Sequence, residues 1–399
     1  MMDGRSLTLV ATCSRGLEQV LAAEIEVLGG GEVEVGRGMV RFLGGIDLLL
    51  RANLELRTAI RLLLSLASGP AGDRQALYAL AASVAWEELV GRGQSIAVDV
   101  AGRAPAFRDT RFAALVVKDA IVDRLRAKMG WRPDVDRSGA DVRVHLHLGV
   151  DESSIGLDSS GEPLSHRGYR PRGGPAPLSE SLAAGLLLLA GYEGEAPLCD
   201  PMCGTGTIAI EGALLATRTA PGLRRSFAME RWGWLDRRIG QRLRQELRDR
   251  RRPAPFPILA SDADEAAVRA TRRNALEAGV APEVESSRCR LRDMPVLPAG
   301  ALLVTNPPYG VRLGDPHTLE EVYRELGQAL KRAAGGCSAW ILAGAPALLA
   351  QLRLRPARRL VLFNGPLECR FVRYDLHGGS PPGGRRRPAG PAKEGISWG

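Results

Sequence analysis

A chain of 399 residues exceeds what one hydrophobic core usually organises, so two or three domains are expected. Apolar residues make up 45% and charged residues 25%, which excludes long-range disorder away from the ends. The formal net charge of +9, carried mainly by Arg, suits a polyanionic partner because the guanidinium fork matches phosphate; heavy Ala, Gly and Arg usage also follows from GC-rich coding, so charge alone selects no function.

In chain order, Leu7 to Ala11 reads as a strand and Arg15 to Leu28 as a helix, with apolar residues at Leu17, Val20, Leu21 and Ile25. Glu32 to Val35 and Gly38 to Phe42 read as strands about a Gly turn, and Asp47 to Leu56 as a helix. This is a small α+β unit. From Ala59 to Val150 a second one follows: an apolar strand, a helix around Gln75 to Leu80, strand Ser95 to Val100, helix Arg111 to Lys128 and strand Val142 to Val150. Asp158 to Pro177 is rich in Gly, Pro, Ser and Arg, so it reads as an irregular connection. Beyond it come helix Ser179 to Ala190 and five short apolar runs: Ala196 to Cys199, Ile258 to Ser261, Leu302 to Thr305, Ala339 to Leu342 and Leu360 to Phe363. Alternating with helical patterns, they indicate a parallel, doubly wound sheet. The residues after His377 lack apolar periodicity and read as a solvated tail.

The six cysteines form no CxxC pair, and they read as free cytosolic thiols. The apolar run Leu182 to Ala190 is too short to span a bilayer, and no leader pattern opens the chain. A cytoplasmic protein is expected, with no membrane association, no metal and no obligatory protein partner.

Two segments carry the chemistry. Asp200-Pro-Met-Cys-Gly-Thr-Gly-Thr207 lies between a short strand and a helical run, which puts Gly204 and Gly206 at the carboxyl edge of the sheet, where doubly wound folds bind ligands. A nicotinamide site would need an acidic ribose partner about 20 residues on; the candidate, Asp262, comes far later, across an insertion at 221–253. Asn306-Pro-Pro-Tyr309-Gly310 directly follows strand Leu302 to Thr305 and so belongs at the same crevice. An amine conjugated into a purine is a poor nucleophile, and orienting it is a large part of catalysis. The Asn306 side-chain oxygen and the Pro307 carbonyl are natural acceptors for its hydrogens, while Tyr309 can stack on the base. In isolation Asn-Pro-Pro-Tyr is equally a rigid turn; the pairing with Gly-x-Gly makes it specific.

Together these segments resemble the class I methyltransferases that modify exocyclic amines. Leu157-Asp-Ser-Ser-Gly-Glu-Pro-Leu164, Arg167-Gly-Tyr-Arg170, Ala176-Pro-Leu-Ser-Glu180 and Asn364-Gly-Pro-Leu-Glu-Cys369 resemble more narrowly the THUMP-containing guanine-N2 RNA methyltransferases, particularly the RlmL type that acts on 23S rRNA. Relatives acting on tRNA share these motifs. The resemblance implies an α/β protein: an N-terminal ferredoxin-like domain at 1–58, a THUMP RNA-binding domain at 59–157, a linker at 158–178, a Rossmann-like methyltransferase domain using S-adenosylmethionine at 179–377, and a flexible basic tail at 378–399. It implies that Asp200, Pro201, Cys203, Gly204, Thr205, Gly206 and Thr207 surround the methionine part of the cofactor, that Asp262 holds its ribose, and that Asn306, Pro307 and Tyr309 carry the target base. Two positions depart from the pattern: Ser179 stands where the family commonly has Lys, and Arg-Cys-Arg around Cys289 lacks the acidic residue expected near adenine, a place Asp293 is expected to take.

Arg167, Arg170, Arg224, Arg225 and Arg231 are the expected RNA contacts. The arginines of 224–252, interleaved with Trp232 and Trp234, suit phosphate contact and base stacking as a segment, though any single one is better explained by a solvated helix face. His145 and His147 share one strand face without a third ligand nearby and read as an ordinary strand pair. A nicotinamide oxidoreductase and a non-catalytic RNA-binding protein are the competing readings.

Overall fold

The computed structural model describes residues 6–171, 178–309 and 316–377; Gly310, the 378–399 tail and part of the 158–178 connection lie outside them. The N-terminal part comprises β1 (Leu7–Cys13), α1 (Glu18–Val27), β2 (Gly31–Gly36), β3 (Met39–Gly44), α2 (Ile46–Glu55), β4 (Ala59–Gly69), α3 (Arg74–Ser83), β5 (Ser95–Gly102), α4 (Thr110–Met129), β6 (Asp134–Val135), β7 (Val142–Leu148) and β8 (Ser153–Asp158). All eight strands join one sheet in the order β2-β3-β1-β4-β8-β7-β5-β6. Its hinge is β4, which pairs antiparallel with β1 on one side and β8 on the other. The expected boundary between residues 58 and 59 therefore falls at the foot of a strand belonging to both halves of a continuous sheet. Strand β8, Ser-Ser-Ile-Gly-Leu-Asp, lies where the sequence reading leaves a gap. Its apolar content is too low to announce a strand, and it depends on partners: a side chain at Gly156 would come within 2.7 Å of the Leu64 carbonyl.

The C-terminal part contains α5 (Glu180–Leu189), β9 (Leu198–Asp200), α6 (Thr207–Ala216), α7 (Arg237–Asp249), β10 (Ile258–Asp262), α8 (Glu265–Ala278), β11 (Val284–Arg288), β12 (Leu302–Thr305), α9 (Pro316–Ala333), β13 (Cys337–Ala343), β14 (Arg358–Asn364) and β15 (Leu367–Leu376). The sheet order is β11-β10-β9-β12-β13-β15-β14. The first five run parallel, and every residue of β12 is buried, as a strand covered on both faces requires. The expectation of a wholly parallel sheet needs correction at one edge, where β15 runs antiparallel to both β13 and β14. The cause is local. Asn364 pairs with Leu367 across the two residues Gly365 and Pro366, with Gly365 at φ 60°, and so short a loop joins only antiparallel neighbours. Ser179, the position departing from Lys, caps α5 by accepting from the Leu182 N–H. No helix among the described residues is long and apolar enough to cross a membrane.

The two parts pack directly on one another. Leu17 of the N-terminal part lies so close to Gly185 on α5 that a side chain there would meet it at 2.6 Å. The Arg-rich helix α7 docks on α2 through Arg51 to Glu246 at 2.8 Å, Arg242 to Asp47 at 3.3 Å and Arg250 to Glu55 at 3.5 Å.

Candidate active site

Strand β9 lies between β10 and β12, pairing Leu198 with Leu302 and Cys199 with Leu303 in parallel register. The turns leaving β9 and β12 consequently emerge at the same sheet edge. They are tied there: Asp200, 2% exposed, accepts from Thr305 Oγ1 at 2.8 Å and from the Met202 N–H at 3.2 Å. The glycine turn and the Asn-Pro-Pro-Tyr loop thus flank one cleft.

Backbone and side-chain donors hold the glycine turn open. The Cys203 N–H donates to the Ser261 carbonyl at 2.9 Å and the Gly206 N–H to the Cys203 carbonyl at 2.8 Å. From α8, Thr271 Oγ1 donates to the Gly204 carbonyl at 3.1 Å and Asn274 Nδ2 to the Thr205 carbonyl at 2.9 Å. Gly206, at φ 83°, has no room for a side chain, because a Cβ would sit 2.6 Å from Thr271 Cγ2. At Gly204, φ 53°, a Cβ would meet nothing within 4 Å, so the space before this residue is open to a ligand. Asp262, at the end of β10, accepts from the Gly204 N–H through Oδ2 at 2.9 Å and from the Asp264 N–H through Oδ1 at 3.0 Å. Two backbone donors thereby fix its carboxylate plane, and each oxygen keeps a further lone pair for a hydroxyl.

Burial pushes the Asp200 carboxyl up to about 7; the Thr305 and Met202 hydrogen bonds pull it down and the Asp262 charge adds to the rise. The folded chain therefore holds this proton more tightly than the unfolded chain. Its contribution to stability is present at acid pH and is lost as pH rises from the usual carboxylate range to about 7. Asp200→Asn is expected to flatten the pH dependence of the unfolding midpoint over that window; equal slopes in the two proteins would show that Asp200 is not its source. Burial likewise pushes the Cys203 thiol up to about 12, leaving it protonated and suited to packing rather than nucleophilic attack.

On the opposite lip Pro307 is buried and Asn306 half-buried. Asn306 Oδ1 is buried with no hydrogen-bond partner among the described residues, a costly state for an acceptor unless something else supplies the donor. The Tyr309 ring lies against Gly344, where a Cβ would be 2.1 Å from Cδ2. Its hydroxyl oxygen accepts from Asn364 Nδ2 at 3.0 Å. Burial raises the Tyr309 phenol above its ordinary range, although the Asn364 and Asn306 amides act against this.

A cleft of about 350 Å³ continues past Asp262 and is lined by Pro201, Met202, Ala263, Cys289, Leu291 and Glu325, among others. Asp293 is not among its lining residues. The Asp293 side chain is 63% exposed and faces Arg292 at 3.7 Å. Glu325, on α9, is a second acidic residue on this cleft wall besides Asp262; a helix far along the chain carries it, so no spacing in the sequence announces it.

Three of the five expected RNA contacts are occupied inside the protein. Arg167, 3% exposed, donates to Glu211 Oε1 at 3.4 Å and to the Leu164 carbonyl at 2.7 Å. Arg170 pairs with Glu180 at 2.6 Å and reaches Thr207 Oγ1 at 3.2 Å, bracing the start of α6. Arg225 donates to the carbonyls of Glu162 and His166 at 2.6 and 3.1 Å. Internal acceptors engage all three guanidiniums. Arg224 and Arg231 are exposed, although Arg231 also donates to the Ala140 carbonyl at 2.8 Å. Trp232 is 2% exposed and stacks on Trp234 with ring centroids 5.1 Å apart, so it packs the core and offers no face to a base.

Comparison with known proteins matches residues 167–373 to the methyltransferase domain described as RMKL-like, residues 8–63 to the RlmL ferredoxin-like domain and residues 71–158 to the THUMP domain. The Ribosomal RNA large subunit methyltransferase K/L of Syntrophotalea carbinolica is 40% identical over 92% of this chain and 53% of its own length. The chain spans about half the length of the first such curated relatives it matches. A provisionally named RNA methyltransferase of Synechocystis is 34% identical over 92% of this chain and 96% of its own. Among solved structures, a chain described as a methyltransferase complexed with SAH superposes with a TM-score of 0.86 at 29% identity, covering 94% of this chain and 99% of that one. Another, described as an N6-adenine-specific DNA methylase from Listeria monocytogenes, gives 0.85 at 29% identity, covering 93% and 97%.

Proposed function

Because this chain belongs to the RMKL-like methyltransferase family, we propose that it methylates the exocyclic N2 of a guanine in 23S rRNA, using S-adenosylmethionine. The observation that carries the proposal is the unpartnered, buried Asn306 Oδ1, on a lip hydrogen-bonded to the glycine turn through Thr305 and Asp200. The RNA class rests on the names of the relatives, and the base on the resemblance of the motifs.

The residues present fit the cofactor. The open face of Gly204 leaves room for its methionine end beside Asp200, Pro201, Cys203, Thr205, Gly206 and Thr207. The oriented Asp262 carboxylate suits a ribose diol, and the cleft beyond it takes the adenine. When bound, S-adenosylmethionine supplies an electrophilic methyl on a sulfonium. The chain's own work is orientation: Tyr309 stacks on a guanine withdrawn from its helix, while Asn306 Oδ1 and the Pro307 carbonyl accept the two N2 hydrogens. That geometry turns the nitrogen's remaining electron density toward the methyl, and after transfer the nitrogen sheds one proton to water. Residues 1–58 and 59–157 hold the RNA, with Arg224 and Arg231 at the edge of the catalytic domain, and residues 179–377 perform the transfer.

The test is nucleoside mass spectrometry of separated ribosomal and transfer RNA from a deletion strain and its parent. Loss of N2-methylguanosine from the large ribosomal RNA is the expected result. The same loss confined to transfer RNA would move the substrate; loss of N6-methyladenosine instead would overturn the base.

A further inference from the structure

The β14–β15 hairpin lies outside the strand edge that holds the cleft, yet it reaches into the site. Its corner residue Asn364 is the donor to the Tyr309 hydroxyl, at 3.0 Å, and the Tyr309 ring is closed in behind by Gly344. The residue before it, Phe363, is held by the other half of the molecule: the Arg15 guanidinium lies 3.9 Å from the Phe363 ring centroid, and the Phe363 N–H donates to the Arg15 carbonyl at 3.2 Å. Gly16, at φ 92°, seats the same loop so closely that a Cβ would be 2.6 Å from the Val361 carbonyl. Contact is therefore continuous from the turn between β1 and α1, through Phe363 and Asn364, to the ring that meets the base.

We propose that Asn364 is a positioning residue for methyl transfer: it fixes the Tyr309 ring through its hydroxyl and couples that orientation to the seating of the N-terminal sheet at Arg15. This rests on Tyr309 being the surface on which the base stacks. A ring with one edge against Gly344 and its hydroxyl untethered keeps torsional freedom about its Cα–Cβ bond; the Asn364 amide, a charge-neutral donor at the far end, restrains it at little cost in burial. Because Asn364 donates, the Tyr309 proton stays free to point elsewhere, and the contact constrains the ring without consuming the group. The N-terminal part thereby acts on catalysis as a strut as well as a handle for RNA.

The test is a double-mutant cycle on the full chain, with methyl transfer to unmodified 23S rRNA transcript as the readout. Asn364→Ala and Tyr309→Phe are each expected to lower kcat by about tenfold, with KM for RNA and affinity for S-adenosylhomocysteine unchanged. The double variant should be no worse than Tyr309→Phe alone, because that substitution already deletes the contact Asn364 makes. Arg15→Ala should give a smaller loss of kcat that vanishes in the Tyr309→Phe background. Multiplying losses in the double variant, or full activity in Asn364→Ala, overturn the proposal. If Asn364→Ala proves unstable by its melting temperature, Asn364→Leu, which keeps the volume without the donor, gives the same cycle. Tyr309→Ala separates the two readings: its full activity would remove the stacking role itself, whereas its inactivity alongside an indifferent Asn364→Ala rejects only the positioning role.

Discussion

Asn306→Ala is expected to lower kcat for methyl transfer by between about a hundredfold and a thousandfold, while binding of S-adenosylhomocysteine and of RNA stays unchanged. The side chain makes no contact that the fold needs at its oxygen, since Oδ1 is buried without a partner among the described residues. Its removal therefore relieves the folded protein of an unsatisfied acceptor and takes from the reaction the group that orients the amine. Asn306→Asp keeps an oxygen at the same place and should retain more activity than the alanine variant, although it gives up the amide that faces the Tyr309 phenol. The check is single-turnover kinetics with saturating RNA, beside calorimetry with S-adenosylhomocysteine. Undiminished turnover in the alanine variant would mean that the amine is oriented by something other than this loop.

Arg167→Met is expected to destabilise the protein by about 3–5 kcal/mol, because it strands a buried carboxylate. Glu211 is 0% exposed; Arg167 Nε and the Tyr169 hydroxyl donate to its Oε1 at 3.4 and 3.2 Å, and its Oε2 has no partner. Burial already raises the Glu211 carboxyl, with Arg167 and Arg57 holding it down. Loss of one of those two cations shifts the balance toward protonation or unfolding. Arg167→Met with Glu211→Gln should recover most of the loss, since the charge is then gone with its partner. Denaturant unfolding of the three variants measures this. Arg167→Met should also leave the salt dependence of RNA binding unaltered, whereas a shallower salt dependence would return Arg167 to the RNA surface.

The arginines show where local reading stops. Arg167, Arg170 and Arg225 belong to a basic, Gly- and Pro-rich context that resembles a phosphate-binding surface. Their partners, Glu211, Glu180 and the carbonyls of Glu162 and His166, lie between 10 and 63 residues away, and only the packing of the connection onto the C-terminal part brings them together. The same holds for α7, whose ion-pair partners on α2 are 195 residues distant. A guanidinium has one appearance in a sequence and two destinies in a fold; which one it meets depends on whether an internal acceptor reaches it before solvent does.

The cleft was legible because its chemistry is contiguous. Asp200 to Thr207 and Asn306 to Tyr309 each follow a short apolar strand, and parallel strands of a wound sheet deliver their ends to one edge, so neither segment needed the other's coordinates to be placed. Strand β15 was not read from the sequence, and its antiparallel sense depends on the Gly365-Pro366 corner. What the tertiary structure alone decided were the relations between distant groups: Thr305 on Asp200, Glu325 on the wall of the cleft, the single sheet through β4, and Asn364 on Tyr309. Residue type and spacing determine what a segment can do within a turn or two of itself. Which groups become partners across 55 or more residues is settled by burial, because only packing removes the water that would otherwise satisfy each of them separately.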